Sequence, residues 1–119
     1  MRVTRDVGPN DPLSRAWDLM DTFGVREVAV VSDGALVGIV TRSDLNPHLG
    51  YLEFTPVRLA MTPAPRTVPA DAPAGTVARE LLAGGFNAMP VVDGDTLAGM
   101  ITRQDLLRVL AEGLGDGKR

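Results

Sequence analysis

The chain has no cysteine, which excludes disulfides, thiol catalysis and thiolate metal sites and suits a cytoplasmic protein. It has a single histidine, His48, so neither a histidine-rich metal cluster nor a histidine-based catalytic triad can be assembled. Lysine is nearly absent too: Lys118 stands alone, and 11 of the 12 basic residues are arginine. Arginine suits bidentate contacts to phosphate or carboxylate, although a GC-rich coding sequence produces the same skew. The 15 acidic residues outnumber the basic ones, and the net charge of −3 argues against a broad nucleic-acid surface. No apolar run approaches the roughly 20 residues of a membrane span, and no signal peptide or lipidation motif is found, so no membrane role is expected. Ser14, Ser32 and Ser43 lack a nucleophile elbow, and there is neither a Walker loop nor a Gly-x-Gly-x-x-Gly. Catalysis is therefore not expected.

What is present is a duplication. Residues 24–45 lie over residues 85–106 at a constant offset of 61 without a gap, and nine of the 22 pairs are identical. Average composition predicts about one or two. The identities include Thr41/Thr102, Arg42/Arg103 and Asp44/Asp105 as well as Gly24/Gly85, Val30/Val91 and Gly38/Gly99. Because polar residues recur at fixed positions, the duplication kept candidate site residues along with the apolar frame. At 119 residues with 45% apolar and 23% charged residues, the chain has the make-up of about one globular domain, so the halves are expected to share a core.

Each unit of about 40 residues reads as β-α-β-β-α. A short segment ends at Val7 or Val68, and a turn leads to Pro12 or Pro73, placed as first helical residues, with Asp11 positioned as a helix cap. Leu13, Ala16, Trp17 and Met20 have helical spacing, reproduced by Ala74, Val77, Ala78 and Leu81. Gly24 and Gly84-Gly85 close these helices. Val28–Val31 and Leu36–Val40 flank a Ser-Asp-Gly turn, and Met89–Val92 with Leu97–Ile101 repeat the hairpin. Final helices start near Thr41 and Thr102, the second running on through Leu110. The first repeat is set at residues 1–50, a proline-rich connector with a short helix at Val57–Met61 at 51–65, the second repeat at 66–112 and a frayed tail at 113–119.

Met89-Pro-Val-Val-Asp93 followed by Leu97-Ala-Gly-Met-Ile-Thr-Arg-Gln-Asp-Leu106, matched by Val30-Val31 and Leu36-Val-Gly-Ile-Val-Thr-Arg-Ser-Asp-Leu45 and joined through Val57-Arg-Leu-Ala-Met-Thr62, resembles a tandem pair of cystathionine-β-synthase (CBS) domains, a Bateman module. The resemblance covers nearly the whole chain. It implies an α+β fold in which two repeats pack through their sheets about a pseudo-twofold axis. It also implies a stand-alone regulatory module that needs no cofactor, binds AMP, ADP or ATP, or in some members S-adenosylmethionine, and signals occupancy to an enzyme or transporter. Homodimerisation comes with the resemblance. Asp44 and Asp105 take the ribose hydroxyls in this reading, and Thr41 and Thr102 lie near phosphate. Val28, Met89 and Pro90 are candidates for the adenine wall, with Val7 and Val68 beside them, and Arg26 stands where relatives place a phosphate-contacting residue. Two departures stand out: Ala29 replaces the proline present as Pro90, and Met1 aligns with Thr62, so the first unit lacks the second's lead-in.

A plainer account competes for each of these residues. Thr-x-x-Asp at a helix start is also a capping pattern, but capping boxes favour the longer Glu or Gln at the fourth position. Arg42 and Arg103 put a cation beside the positive helix end, costing about 0.3–1 kcal/mol that a bound anion would remove. They can equally extend into solvent or pair with nearby acids. Arg26 can be a solvated loop residue, Val28, Met89 and Pro90 are core by default, and Trp17 belongs to the core. An empty-cleft dimerisation or interaction module is the alternative function.

Overall fold

A computed structural model describes residues 5–115. It divides into two compact units: the chain up to Pro65 together with Asp95–Leu97, and Arg66–Gly94 together with the chain from Ala98.

The first unit contains β1 (Asp6–Val7), α1 (Leu13–Phe23), β2 (Glu27–Ser32), β3 (Ala35–Thr41) and α2 (Arg42–Leu45). Two 3-10 turns, Asn46–Tyr51 and Val57–Leu59, and β4 (Thr62–Pro63) form the connector. The second unit repeats the plan with β5 (Val68–Pro69), α3 (Ala74–Gly84), β6 (Ala88–Asp93), β7 (Thr96–Thr102) and α4 (Arg103–Gly115), of which the start of β7 clusters with the first unit. The α+β class and the twofold repetition of β-α-β-β-α stand as expected. Even the strand register repeats: β1 runs parallel to β2 with Val7 opposite Val30, and β5 runs parallel to β6 with Val68 opposite Val91.

Helices α1 and α3 are eleven residues each and stop at a left-handed glycine, Gly24 (φ 65°) and Gly85 (φ 67°), where a side chain would be strained. Their starts differ from expectation. Pro12 and Pro73 are the N-caps themselves, with extended backbone (ψ 150° in both), which puts Asp11 one residue too early to cap. Its Oδ2 instead accepts from the Gly8 N–H at 2.7 Å and lies 3.5 Å from Arg15 Nε. The free donors of α1 go to the connector: Leu13 N donates to Thr55 O at 2.8 Å and Ser14 N to Leu52 O at 3.1 Å. Val57, in the expected short helix, makes only a 3-10 turn, but it is fully buried against α1 and β2. The connector is thus part of the first unit's core.

That core gathers Leu13, Ala16 and Met20 from α1 with Val28, Val30 and Val40 from the hairpin, closed by Leu45 and Val57. The second is smaller, with Val68, Leu81 and Met89 buried and Val77, Phe86, Val91, Ile101 and Leu106 half-buried around them. Trp17 packs at the margin of the first core. At the far end of the chain, α4 is described as far as Gly115; residues 116–119 of the expected tail lie outside the described residues.

Candidate functional site

The two Thr-x-x-Asp sequences fall where a strand hands over to a helix. Thr41 keeps extended backbone (φ −110°, ψ 165°) and ends β3, and its Oγ1 accepts from the Asp44 N–H at 3.2 Å. Asp44 reaches back, its Oδ2 accepting from the Thr41 N–H at 2.8 Å. In the second unit the same two bonds join Thr102 and Asp105, each 3.0 Å long. These are reciprocal capping boxes. The preference of capping boxes for the longer Glu or Gln does not decide the case here: with the threonine extended, the shorter carboxylate reaches the cap N–H. A further backbone bond is also duplicated, Arg42 N to Arg26 O at 2.9 Å and Arg103 N to Asn87 O at 3.0 Å, tying the loop before each middle strand to the helix start.

Each carboxylate spends Oδ2 on its cap. Asp44 Oδ1 has no hydrogen-bond partner among the described residues and is not sealed from solvent. Asp105 Oδ1 lies 3.5 Å from Arg108 Nη1, an exposed contact one turn along α4. Chemically, what remains at each helix start is one acceptor oxygen beside a threonine hydroxyl, the arrangement needed to receive a hydroxyl donor.

The paired arginines do neither of the two things considered for them. The Arg42 guanidinium lies over the Trp17 ring, 4.6 Å from its centroid, a cation–π contact. Arg103 Nε donates to Phe86 O at 2.6 Å. Both cations are thereby turned onto their own unit's surface rather than held over the helix end. Trp17 and Phe86 as partners were not legible from the repeat, because neither is duplicated: their counterparts are Ala78 and Val25.

Of the remaining candidates, Val7, Val28, Val68, Met89 and Pro90 are all buried, none more than 2% exposed. Their side chains are packing groups first. Arg26 is exposed, and its recorded contact is through its backbone carbonyl. Beside it, Glu27 stands opposite Thr41 in the β2–β3 ladder, which puts both side chains on one face of the sheet. Burial raises its carboxyl above the ordinary 4.5, partly opposed by Arg26. The second unit has Ala88 there. No group of three or more His, Asp or Glu able to hold a metal occurs among the described residues, and no described helix is long and apolar enough to cross a membrane.

Fold and helix starts together define a class, a duplicated α+β unit with twin capped Thr-x-x-Asp turns. The chain belongs to the CBS domain family, whose pattern it matches over residues 7–49 and again over 57–112. Among solved structures it is similar to the CBS-pair protein CBSX2 from Arabidopsis thaliana, at 27% identity and a TM-score of 0.82 over 92% of this chain and 86% of that one. It is likewise similar to a CBSX2 structure in complex with AMP, at 28% identity and a TM-score of 0.80, covering 92% and 88%. An L-aspartate semialdehyde sulfurtransferase of Methanosarcina acetivorans is 37% identical over 111 residues, which are 92% of this chain and 21% of the relative. The protein MJ1225 of Methanocaldococcus jannaschii is 32% identical over 127 residues, covering 92% of this chain and 45% of the relative. The chain thus spans less than half the length of these curated relatives.

Proposed function

We propose that this chain is a regulatory module that binds an adenosine-containing ligand, AMP, ADP or ATP, and signals occupancy to a partner by shifting its own conformation. The carrying observation is that both units present the same Thr-x-x-Asp turn, with carboxylate oxygen left over after capping. That oxygen accepts from a ribose hydroxyl, and the threonine hydroxyl stands beside the phosphate. A relative of nearly the same length is known with AMP bound, which supports the ligand class. Of the two turns, Thr102–Asp105 is the better placed for a phosphate, because α4 extends for thirteen residues whereas α2 has four. The module needs no cofactor and turns nothing over. It acts in the cytoplasm as a homodimer, and its partner is an enzyme or transporter. Regulation requires that the ligand bind one conformation more tightly than another.

Calorimetric titration with AMP, ATP and S-adenosylmethionine tests this. The expected result is sub-millimolar binding of an adenine nucleotide, weakened by Asp44→Ala and by Asp105→Ala. If no adenosine compound binds below millimolar concentration, the reading fails. The second reading, an interaction module without a ligand, is favoured by the capping boxes, which give all four residues a structural task. It predicts that the two aspartate variants lower stability while no nucleotide binds even the parent chain.

A further inference from the structure

The repeat provides an internal control, because a surface covered in one unit can be compared with its duplicate in the other. In the first unit the connector seats itself on the start of α1. Leu13 N and Ser14 N donate to Thr55 O and Leu52 O, while Asp11 O and Pro9 O accept from Val57 N and Arg58 N, both at 2.8 Å. Pro12 and Pro56 bridge, Val57 is driven into the core, and Arg58 Nε reaches Asn10 Oδ1 at 3.2 Å. Pro56 is in polyproline conformation (φ −70°, ψ 145°).

Moved by 61 residues, that seat has no occupant among the described residues. The equivalents of the four backbone groups are Ala74 N, Gly75 N, Ala72 O and Ala70 O, and none has a backbone partner among the described residues. Where Leu13 and Val57 fill the first core, the second unit has Ala74, which is exposed, and an apolar cavity of about 210 Å³ lined by Val68, Ala72, Ala74, Val77, Ile101 and Leu106. An apolar pocket of that size, open to solvent on one side, has room for a branched aliphatic side chain. Asn10, which meets Arg58, becomes Asp71, and Asp71 lines an adjoining open cleft of about 480 Å³ with Asp93. The seat's acids are therefore rearranged: Asp71 and Asp93 stand where the twin has Asn10 and Ser32, while Asp11 and Asp33 are replaced by Ala72 and Gly94. In the same register, Gly117, Lys118 and Arg119 stand against Pro56, Val57 and Arg58, so the aligned residues carry no aliphatic side chain for the cavity.

We infer that the start of α3 is a docking groove for an extended segment of a partner polypeptide, one that reads proline, branched aliphatic, basic. The aliphatic side chain enters the cavity, the basic one meets Asp71 and Asp93, and the peptide backbone pairs with Ala72 O and Ala74 N. As in other extended-peptide recognition, backbone bonds supply affinity and side-chain pockets supply choice.

The test uses the full chain and a fluorescein-labelled peptide of residues Tyr51–Met61, followed by anisotropy. Saturable binding is expected, at least tenfold weaker when the peptide carries Val57→Asp and at least tenfold weaker to the protein variant Val77→Met, whose longer side chain enters the pocket. Should that variant not fold, Val91→Met serves the same purpose. The variant Asp71→Arg should weaken the peptide several-fold, and Arg58→Asp in the peptide should restore it. Amide shift changes should fall at residues 68–77. A scrambled peptide that binds equally well, indifference to both cavity variants, or shift changes confined to residues 9–14, where the peptide would merely displace the chain's own connector, would each overturn the inference.

Discussion

Asp44 and Asp105 each hold two possible tasks on one carboxylate, and the tasks can be separated by chemistry. Asparagine retains an oxygen that accepts from the threonine N–H, so the cap survives, but it loses the charge and the second acceptor. Asp105→Asn is therefore expected to leave the thermal midpoint within a few degrees while lowering nucleotide affinity about tenfold or more, read by calorimetry; Thr102→Ala, which removes a cap bond, costs about 0.5–2 kcal/mol of stability in a urea titration. Glu27 offers a second residue-level test. Its folded-state pKa lies above the unfolded 4.5, so the folded chain binds the proton more tightly and stability falls as pH rises through the window that starts near 4.5 and ends at the raised value. Glu27→Gln should accordingly stabilise the chain at neutral pH, with the gain vanishing below pH 4.5; thermal melts across that range check it, and a gain unchanged at low pH would exclude the protonation account. The importance of Thr41, Asp44 and their duplicates was legible because polar identity at fixed spacing survives in both copies. The closure of the caps was not, since it depends on backbone angles at the threonine. The burial of Glu27, invisible in a single strand's alternation, needed the fold.

At the level of elements the duplication holds in length while the local chemistry drifts. Both hairpin turns have two residues, but Asp33-Gly34 puts both at positive φ (52° and 81°), whereas Gly94-Asp95 has positive φ only at Gly94 (63°). The first follows the type I′ pattern and the second type II′, and glycine has moved to the position whose backbone demands it most. Gly38 and Gly99 look equivalent in sequence and are not. A Cβ on Gly38 would lie 2.5 Å from Met61 Sδ and 3.0 Å from Thr62 O, because β4 and the residue before it run alongside β3 there, whereas a Cβ on Gly99 meets nothing within 4 Å. Gly38→Ala is thus expected to destabilise by about 1–3 kcal/mol through overpacking, and Gly99→Ala to be neutral or mildly stabilising; chemical denaturation of the two variants side by side decides. Helix and strand positions were readable from apolar spacing and from the stop glycines. The different reasons for Gly38 and Gly99 were not, because the crossing segment comes from the connector, far away in sequence.

For the whole molecule the consequence of duplication is two cores of unequal depth. Among the described residues, nine buried apolar residues form the first unit's central cluster and three the second's. Four of the six positions that differ are half-buried in the second unit (Val77, Val91, Ile101 and Leu106), and the other two set Leu13 against Ala74 and Val57 against a pocket; truncating a buried leucine to alanine typically costs about 2–5 kcal/mol. From the alignment alone the two helices appear interchangeable, since both Leu13 and Ala74 satisfy an apolar pattern; the difference emerges only once volumes are compared. Units with different burial open with different free energies. Hydrogen exchange should therefore release the amides of α3 and β6 before those of α1 and β2. Ala74→Leu should recover up to about 2 kcal/mol, as cavity-filling changes commonly do, and slow exchange selectively in α3 and β6. Leu13→Ala should do the opposite in α1 and β2. Equal protection of the two units in the parent chain, or a uniform response to either substitution, would mean that the cores act as one cooperative unit despite their different packing.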